Sequence, residues 1–194
     1  MNPDLRWRGL FRIPTARKVG GDYTAGAFFV TWCIKGRVEC LARIEDGRSF
    51  PTPIGIVVDE EWHETANVRP NVTLDAWIVM PDHVHGILIL HDAEETADRE
   101  TADGETADGE TAHRAVSTGP SRLVAGSLGA IIGQIKSIAT KRIRAGGYPE
   151  FEWQTRFHDR ILRNEAALIA ARKYIADNPS GWELGRNNPD GLFR

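Results

Sequence analysis
The sequence predicts an α+β domain, an antiparallel sheet with helices packed against one face. Three observations predict it. Short runs rich in aromatic and β-branched residues are separated by turn signals. Helical stretches with apolar residues near one face lie among them. The 194 residues, 41% of them hydrophobic, suit one domain with a real core.

Gly26 to Lys35 (GAFFVTWCIK) reads as a strand. Lys35-Gly36-Arg37 turns it into a second strand, Val38 to Ile44, which Asp46-Gly47 ends. Pro53 opens a helix over Ile54 to Asn67, with Ile54, Val57, Val58 and Trp62 near one face, and Pro70 stops it. Val72 to Met80 and Val84 to Leu90 are two more strands, split by Pro81-Asp82. Ser127 caps a helix from Leu128 to about Ala145, ended by Gly146-Gly147. Its isoleucines at 131, 132, 135, 138 and 143 alternate with Lys136, Lys141, Arg142 and Arg144, so it is amphipathic with a basic face. Asn164 caps a last helix, with Glu165 in its first turn, that runs to about Asn178 before Pro179. The expected order is ββαββ, an insertion, then αα.

The insertion is a tandem repeat. It reads ETADR, ETADG, ETADG, ETAHR from Glu95 to Arg114. A period of five matches no heptad, solenoid unit or strand pair. The segment is acidic and lacks large apolar residues, so it cannot offset its own ordering entropy, and it reads as disorder or a frayed helix. A structureless stretch of this length inside a compact domain indicates an insertion, at about residues 93–115 of a single domain over 1–194. The functional alternative is an acidic arm that competes with nucleic acid for a basic surface.

The repeat also distorts the charge balance. The chain holds 24 basic and 27 acidic residues, a net charge of −3, which argues weakly against nucleic acid. Residues 91–114 carry nine of the acids against two arginines; without them 22 basic residues face 18 acidic ones. The longest apolar stretch, Phe28 to Ile34, is interrupted by Thr31, so no membrane span is expected. The basic N-terminus (Arg6, Arg8, Arg12, Arg17, Lys18) lacks the apolar region of a signal peptide. Cys33 and Cys40 have no metal or redox spacing, which suggests a reducing compartment without disulfides.

His83-Val84-His85 opens the fourth strand. Residues two apart share a strand face, so the imidazoles form a two-point ligand set for a divalent metal. Histidines so spaced are more often ordinary surface or core residues. The setting favours ligands, because apolar runs lead in and out of a sharp Pro81-Asp82 junction. Asp82 beside the pair could tune metal affinity or terminate the turn, and the turn is the preferred reading. Tyr174 and Asn178 lie four apart on the last helix, hence on one face. An Asn oxygen can ligate a hard cation, and a cation that polarises phosphate offsets the poor nucleophilicity of a tyrosine. The plainer alternative is a packing tyrosine, with Asn178 capping the helix before Pro179.

These residues carry a resemblance. The chain resembles the REP-associated tyrosine transposases, a branch of the HUH single-strand DNA nucleases, over nearly everything except the repeat. Asp22-Tyr23 with Gly26 to Arg37 is similar to the family's GxYFVTxxxxxR strand, and Ile54 to Asn71 to its first helix and exit. Trp77 to Ile87 resembles the VVMPNHVHGI block, with Asp82 where Asn is usual. Leu128 to Arg144 resembles its IIxxxKSxxTxxI helix, Trp153 to Ile161 its WQxxFxDxI segment, and Tyr174 to Pro179 its YIxxNP block. HxH alone is unspecific, but six blocks in the right order are highly specific.

The resemblance implies a ferredoxin/RRM-like sheet of about four to five strands, the HUH nuclease fold. It implies His83, His85 and Asn178 as ligands of Mg²⁺ or Mn²⁺, and Tyr174 as the nucleophile that forms a 5′-phosphotyrosine. It implies single-stranded DNA with short REP-like hairpins as partner, a monomer or dimer, and a bacterial cytoplasmic, nucleoid-associated setting. Candidate phosphate contacts are Arg6, Arg8, Lys136, Lys141, Arg142, Arg144, Arg156, Arg160 and Arg163, each of which ordinary solvated surface would also explain. Trp7 could stack on an unpaired base. Two alternatives remain: a non-catalytic hairpin-binding protein on the same fold, and an unrelated metal-binding domain in which His63 or His91 joins the pair.

Overall fold
The computed structural model describes residues 25–91 and 126–187, with two short strands, β1 (Arg6–Trp7) and β2 (Leu10–Phe11), that pair antiparallel. The repeat and the Arg8 side chain lie outside the described residues, as does the side chain of Arg6. The other strands are β3 (Gly26–Cys33), β4 (Ala42–Glu45), β5 (Arg48–Pro51), β6 (Val72–Val79), β7 (His83–Leu90) and β8 (His158–Leu162). The helices are α1 (Pro53–Asn67), α2 (Leu128–Ala145) and α3 (Glu165–Asn187).

The main sheet has the order β6-β7-β3-β8 and every pairing is antiparallel. Around it the chain runs β3-α1-β6-β7-α2-β8, the split βαβ order of a ferredoxin-like fold. The expected α+β class is therefore met, but its internal order is not ββαββ followed by αα. Strand β8 falls where only a basic segment was expected. Its sequence, HDRIL, carries three polar residues that mask a strand signal, and as an edge strand it tolerates them.

The expected second strand, Val38 to Ile44, shortens to β4 and leaves the main sheet. Both edges of β3 are already occupied, by β7 and β8. A 3-10 turn at Lys35–Arg37, with Gly36 and Arg37 at positive φ, swings the chain away. The Cys40 and Leu41 amides then both donate to the Pro81 carbonyl at 2.9 Å. β4 pairs with β5 instead, through Asp46-Gly47, whose φ values of 51° and 67° suit a type I′ hairpin.

Strand alternation gives the sheet two apolar faces. Phe28, Val30 and Trp32 of β3 and Val84 and Leu88 of β7 pack under α1 and α2 with Val58, Trp62, Ile131, Ile132 and Ile135. Gly86 belongs to this face because Trp62 and Trp77, stacked at 4.3 Å, leave no room for a side chain: a Cβ there would lie 2.7 Å from Trp62. The opposite face, with Phe29, Ile78, Ile87 and Leu162, is covered by Leu168, Ala171 and Ile175 of α3. Two helices thus share one face as expected, and the third lies on the other.

α3 does not stop before Pro179. It continues to Asn187 with the proline inside, so Asn178 is no terminal cap. Proline removes one helical hydrogen bond, and contacts beyond it hold the helix. The Gly47 amide donates to Glu183 Oε2 at 2.7 Å, which ties the β4–β5 hairpin to the far end of α3. On the near side Arg172 grips Asp75 through two nitrogens, at 2.8 and 2.5 Å. A bulge in β6 between Leu74 and Trp77 turns that carboxylate toward α3.

Candidate active site
β7 begins directly after the Pro81-Asp82 corner, so alternation sends His83, His85 and Ile87 to the α3 face. Both histidines are 2% exposed. Each ring is fixed through its Nδ1. His83 Nδ1–H donates to Asp82 Oδ1 at 2.5 Å, a direction that follows from a carboxylate accepting only. His85 Nδ1 meets Thr31 Oγ1 at 2.7 Å, across the β3–β7 ladder where the two residues are paired. The two Nε2 atoms then converge to 3.0 Å.

Burial pushes the His85 pKa well below its ordinary value, and nearby His83 and Arg37 push it the same way. Burial thus favours a neutral His85, and the two Nε2 atoms form a convergent two-nitrogen donor set. Two nitrogens 3.0 Å apart, each about 2.1 Å from one cation, subtend about 90° there, the angle between neighbouring ligands of an octahedron. The residues present fit a Mg²⁺- or Mn²⁺-like ion. Among the described residues no three His, Cys, Asp or Glu side chains converge as a metal site.

α3 supplies the facing wall. Tyr174, Asn178 and Trp182 are spaced by four and share one helix face. The Tyr174 ring stands edge-on to His85, with centroids 5.2 Å apart, and Trp182 meets His83 at 5.8 Å. Asn178 lies on that face between them. Phe29 stacks on His85 at 5.3 Å and meets the edge of Tyr174 at 5.7 Å. His83 and His85 of β7 and Tyr174 of α3, singled out in the sequence, therefore meet at one place, and Asn178 shares the helix face of Tyr174 and Trp182.

Asp82 does more than end a turn. Beyond His83 it holds Arg37 Nε at 2.8 Å, with its own side chain 3% exposed. Phe29, Thr31, Arg37 and Trp182 also belong to this site; the first three fall on the F, T and R of the GxYFVTxxxxxR block, though no role was assigned to them, and Trp182 lies outside every block. Phe29 and Thr31 follow from register once β3 is paired with β7. His63 and His91 do not join it. His63 sits exposed on α1, over the other sheet face, with its Nδ1 on the Asp59 carbonyl at 2.8 Å. His91 lies past the far end of β7, bonded to Thr73 at 2.8 Å.

The basic candidates separate into two groups. The Lys136 ammonium is half-buried and donates to the Gln154 carbonyl at 2.6 Å, and burial lowers its pKa. Arg142 is paired with Glu60 and Glu61 at 2.5 and 2.7 Å. Arg144 donates to the Phe151 carbonyl at 3.1 Å. Those three serve the fold. Lys141, Arg156, Arg160 and Arg163 are exposed. Arg160 pairs with Phe29 across β3–β8, so its side chain points to the α3 face, beside the site.

No protein-family model matches the chain. An uncharacterised protein of Haemophilus influenzae is 26% identical over 159 residues, covering 81% of this chain and 82% of its own length. A solved REP-associated tyrosine transposase, bound to a REP hairpin, aligns with a TM-score of 0.53 and 19% identity, over 85% of this chain and 73% of that one. This chain has the fold of a REP-associated tyrosine transposase. A Deinococcus radiodurans protein of known structure aligns over 82% of this chain and 94% of its own at 16% identity, with a TM-score of 0.42, too distant to add to that assignment. No helix among the described residues is long and apolar enough to cross a membrane.

Proposed function
We propose that the protein is a divalent-metal-dependent tyrosine transposase that cleaves and rejoins single-stranded DNA beside short REP-like hairpins. The observation that carries this reading is the contact between Tyr174 and His85, beside two convergent imidazole nitrogens. The six sequence blocks and the shared fold support it.

His83, His85 and Asn178 would hold Mg²⁺ or Mn²⁺, which when bound supplies Lewis-acid polarisation of the scissile phosphate. Phe29, edge-on to Tyr174, would help to orient its ring toward a bound phosphate. Tyr174 Oη attacks phosphorus in line and gives its proton to solvent. The P–O bond to the 3′ oxygen breaks, and that oxygen takes a proton through solvent. The products are a 5′-phosphotyrosine and a free 3′-OH. The adduct keeps the phosphodiester bond energy, so a second 3′-OH can attack it, release Tyr174 and join strands without a nucleotide cofactor. Arg160 and the exposed Arg156 and Arg163 are placed to neutralise flanking phosphates.

The test is a denaturing gel. The full-length protein is incubated with Mn²⁺ and hairpins taken from repeats flanking its own coding region. A covalent protein–DNA band is expected, and none with Tyr174→Phe, which still binds the hairpin. A wild-type protein that binds hairpins without ever forming the band would instead be a hairpin-binding protein on this fold.

A further inference from the structure
We propose that Arg37 and Asp82 form a positioning pair that fixes His83 as a metal donor. The proposal rests on the reading of His83 and His85 as the metal-binding pair.

Three side-chain contacts and one cross-strand pairing link four residues. His83 Nδ1–H donates to Asp82 Oδ1 at 2.5 Å, and Arg37 Nε donates to Asp82 Oδ2 at 2.8 Å. Arg37 Nη1 donates to Cys33 Sγ at 2.7 Å. Cys33 is in turn the direct cross-strand partner of His83. The Asp82 backbone is pinned as well, because its carbonyl accepts from the Ile34 amide at 2.9 Å. Each oxygen of the carboxylate therefore has its own donor.

This arrangement exceeds what a turn requires. A buried carboxylate is costly unless it is paired and hydrogen-bonded, and an Asp or Asn that merely ends a strand has no need of burial. Arg37 reaches Asp82 from a left-handed backbone conformation, φ 58°, that non-glycine residues disfavour. Strain of this kind persists where surrounding contacts over-determine it, and it gathers at functional sites. The consequence is a fixed tautomer. With Nδ1 donating to a carboxylate, the neutral His83 ring carries its lone pair on Nε2, facing His85 Nε2.

Thr31 places no such constraint on His85, because a hydroxyl both donates and accepts. Without a cation, His85 Nε2–H can donate to His83. In the other tautomer, with the proton on Nδ1, the threonine hydroxyl would accept from Nδ1–H and His85 Nε2 would be free to serve as a metal donor. Asp82 fixes one donor and Thr31 lets the other adapt.

Two measurements on the full-length protein test this. Long-range ¹H–¹⁵N correlation of the metal-free protein reads the His83 tautomer directly. Nδ1–H is expected in the wild type and a tautomer mixture in Asp82→Ala. Mn²⁺ affinity, read from the EPR signal of free Mn²⁺, is expected to weaken about tenfold or more in Asp82→Ala and Asp82→Asn, and in the same direction in Arg37→Gln. A wild-type His83 protonated on Nε2 overturns the proposal, whatever the metal result. Wild-type Mn²⁺ affinity in folded Asp82→Ala overturns it too. If the wild type binds no Mn²⁺, or His83→Ala binds it equally well, the metal assignment fails instead, and the tautomer still decides whether Asp82 positions the ring.

Discussion
Tyr174 stands edge-on against His85, ring centroids 5.2 Å apart and planes at 69°. The contact joins the helix that bears the hydroxyl to the strand that bears the imidazole pair. Phe29 lies under both rings, near-parallel to His85 at 27° and near-perpendicular to Tyr174 at 76°. On the proposed mechanism the chemistry would depend on that three-ring contact, because a nucleophile and a metal act on one phosphorus only if their separation is fixed.

The first prediction follows from Phe29. Phe29→Leu keeps an apolar residue between β3 and α3 and removes the ring that orients both partners. Small misplacements of a reacting group cost up to about 10²-fold in rate. Single-turnover adduct formation should slow by roughly 10- to 100-fold, while hairpin affinity stays near wild type. An unchanged adduct rate would show that Phe29 does not position Tyr174.

The second concerns pH. The folded state holds His85 neutral, with a pKa well below the unfolded value near 6.5, chiefly because it is buried. In the window between those two values the unfolded chain binds more protons. Stability is therefore fully present above about pH 6.5 and falls as pH drops toward the folded pKa. His85→Gln removes that titration. Chemical denaturation of the metal-free protein from pH 7.5 down to 5 should show a flatter profile for the variant than for the wild type. Parallel profiles would refute the assignment of this slope to His85.

Much of the site was legible because it rests on local periodicity. HxH in a strand and Tyr and Asn four apart on a helix each put two groups on one face before any tertiary contact is known. The starts of α1 and α2 were legible from equally local signals, Pro53 at the first helical position and Ser127, whose Oγ accepts from the Ala130 amide at 3.4 Å. What was not legible depends on long-range pairing. Asp82 looked like turn punctuation because its partner Arg37 is 45 positions away in sequence. Pro179 looked like a helix stop because the hairpin that braces α3 beyond it comes from residues 42–51. β8 was hidden because a polar edge strand differs little from a loop.

The third prediction separates the basic residues by their partners. Lys136 holds the Gln154 and Arg156 carbonyls at 2.6 and 3.5 Å, so it organises the segment leading into β8. Lys136→Met should lower stability by about 1–3 kcal/mol, the cost of leaving a buried acceptor unsatisfied. Arg160 is exposed beside the site. Arg160→Ala should leave stability within about 0.5 kcal/mol and weaken hairpin binding, reducing the salt slope of log K by about 1. Melting curves and binding isotherms at several salt concentrations distinguish the two. A salt slope untouched by Arg160→Ala would remove it from the DNA surface.

The fourth tests the brace on α3. Gly47 sits at φ 67°, its amide donates to Glu183 Oε2, and a Cβ there would come within 2.7 Å of Ser180 Oγ. Gly47→Ala therefore meets two penalties, a left-handed backbone costing roughly 1–2 kcal/mol and a clash with the helix that carries Tyr174. Ser180→Ala relieves only the clash. If the hairpin positions the nucleophile, Gly47→Ala should slow adduct formation at constant hairpin affinity, and adding Ser180→Ala should restore rate more than it restores stability. Glu183→Gln keeps an acceptor for the Gly47 amide and should lie close to wild type, whereas Glu183→Ala should resemble Gly47→Ala in rate without the backbone cost. Adduct rates that track only the melting temperature across these variants would mean that the hairpin stabilises the fold and leaves the position of Tyr174 to the sheet alone.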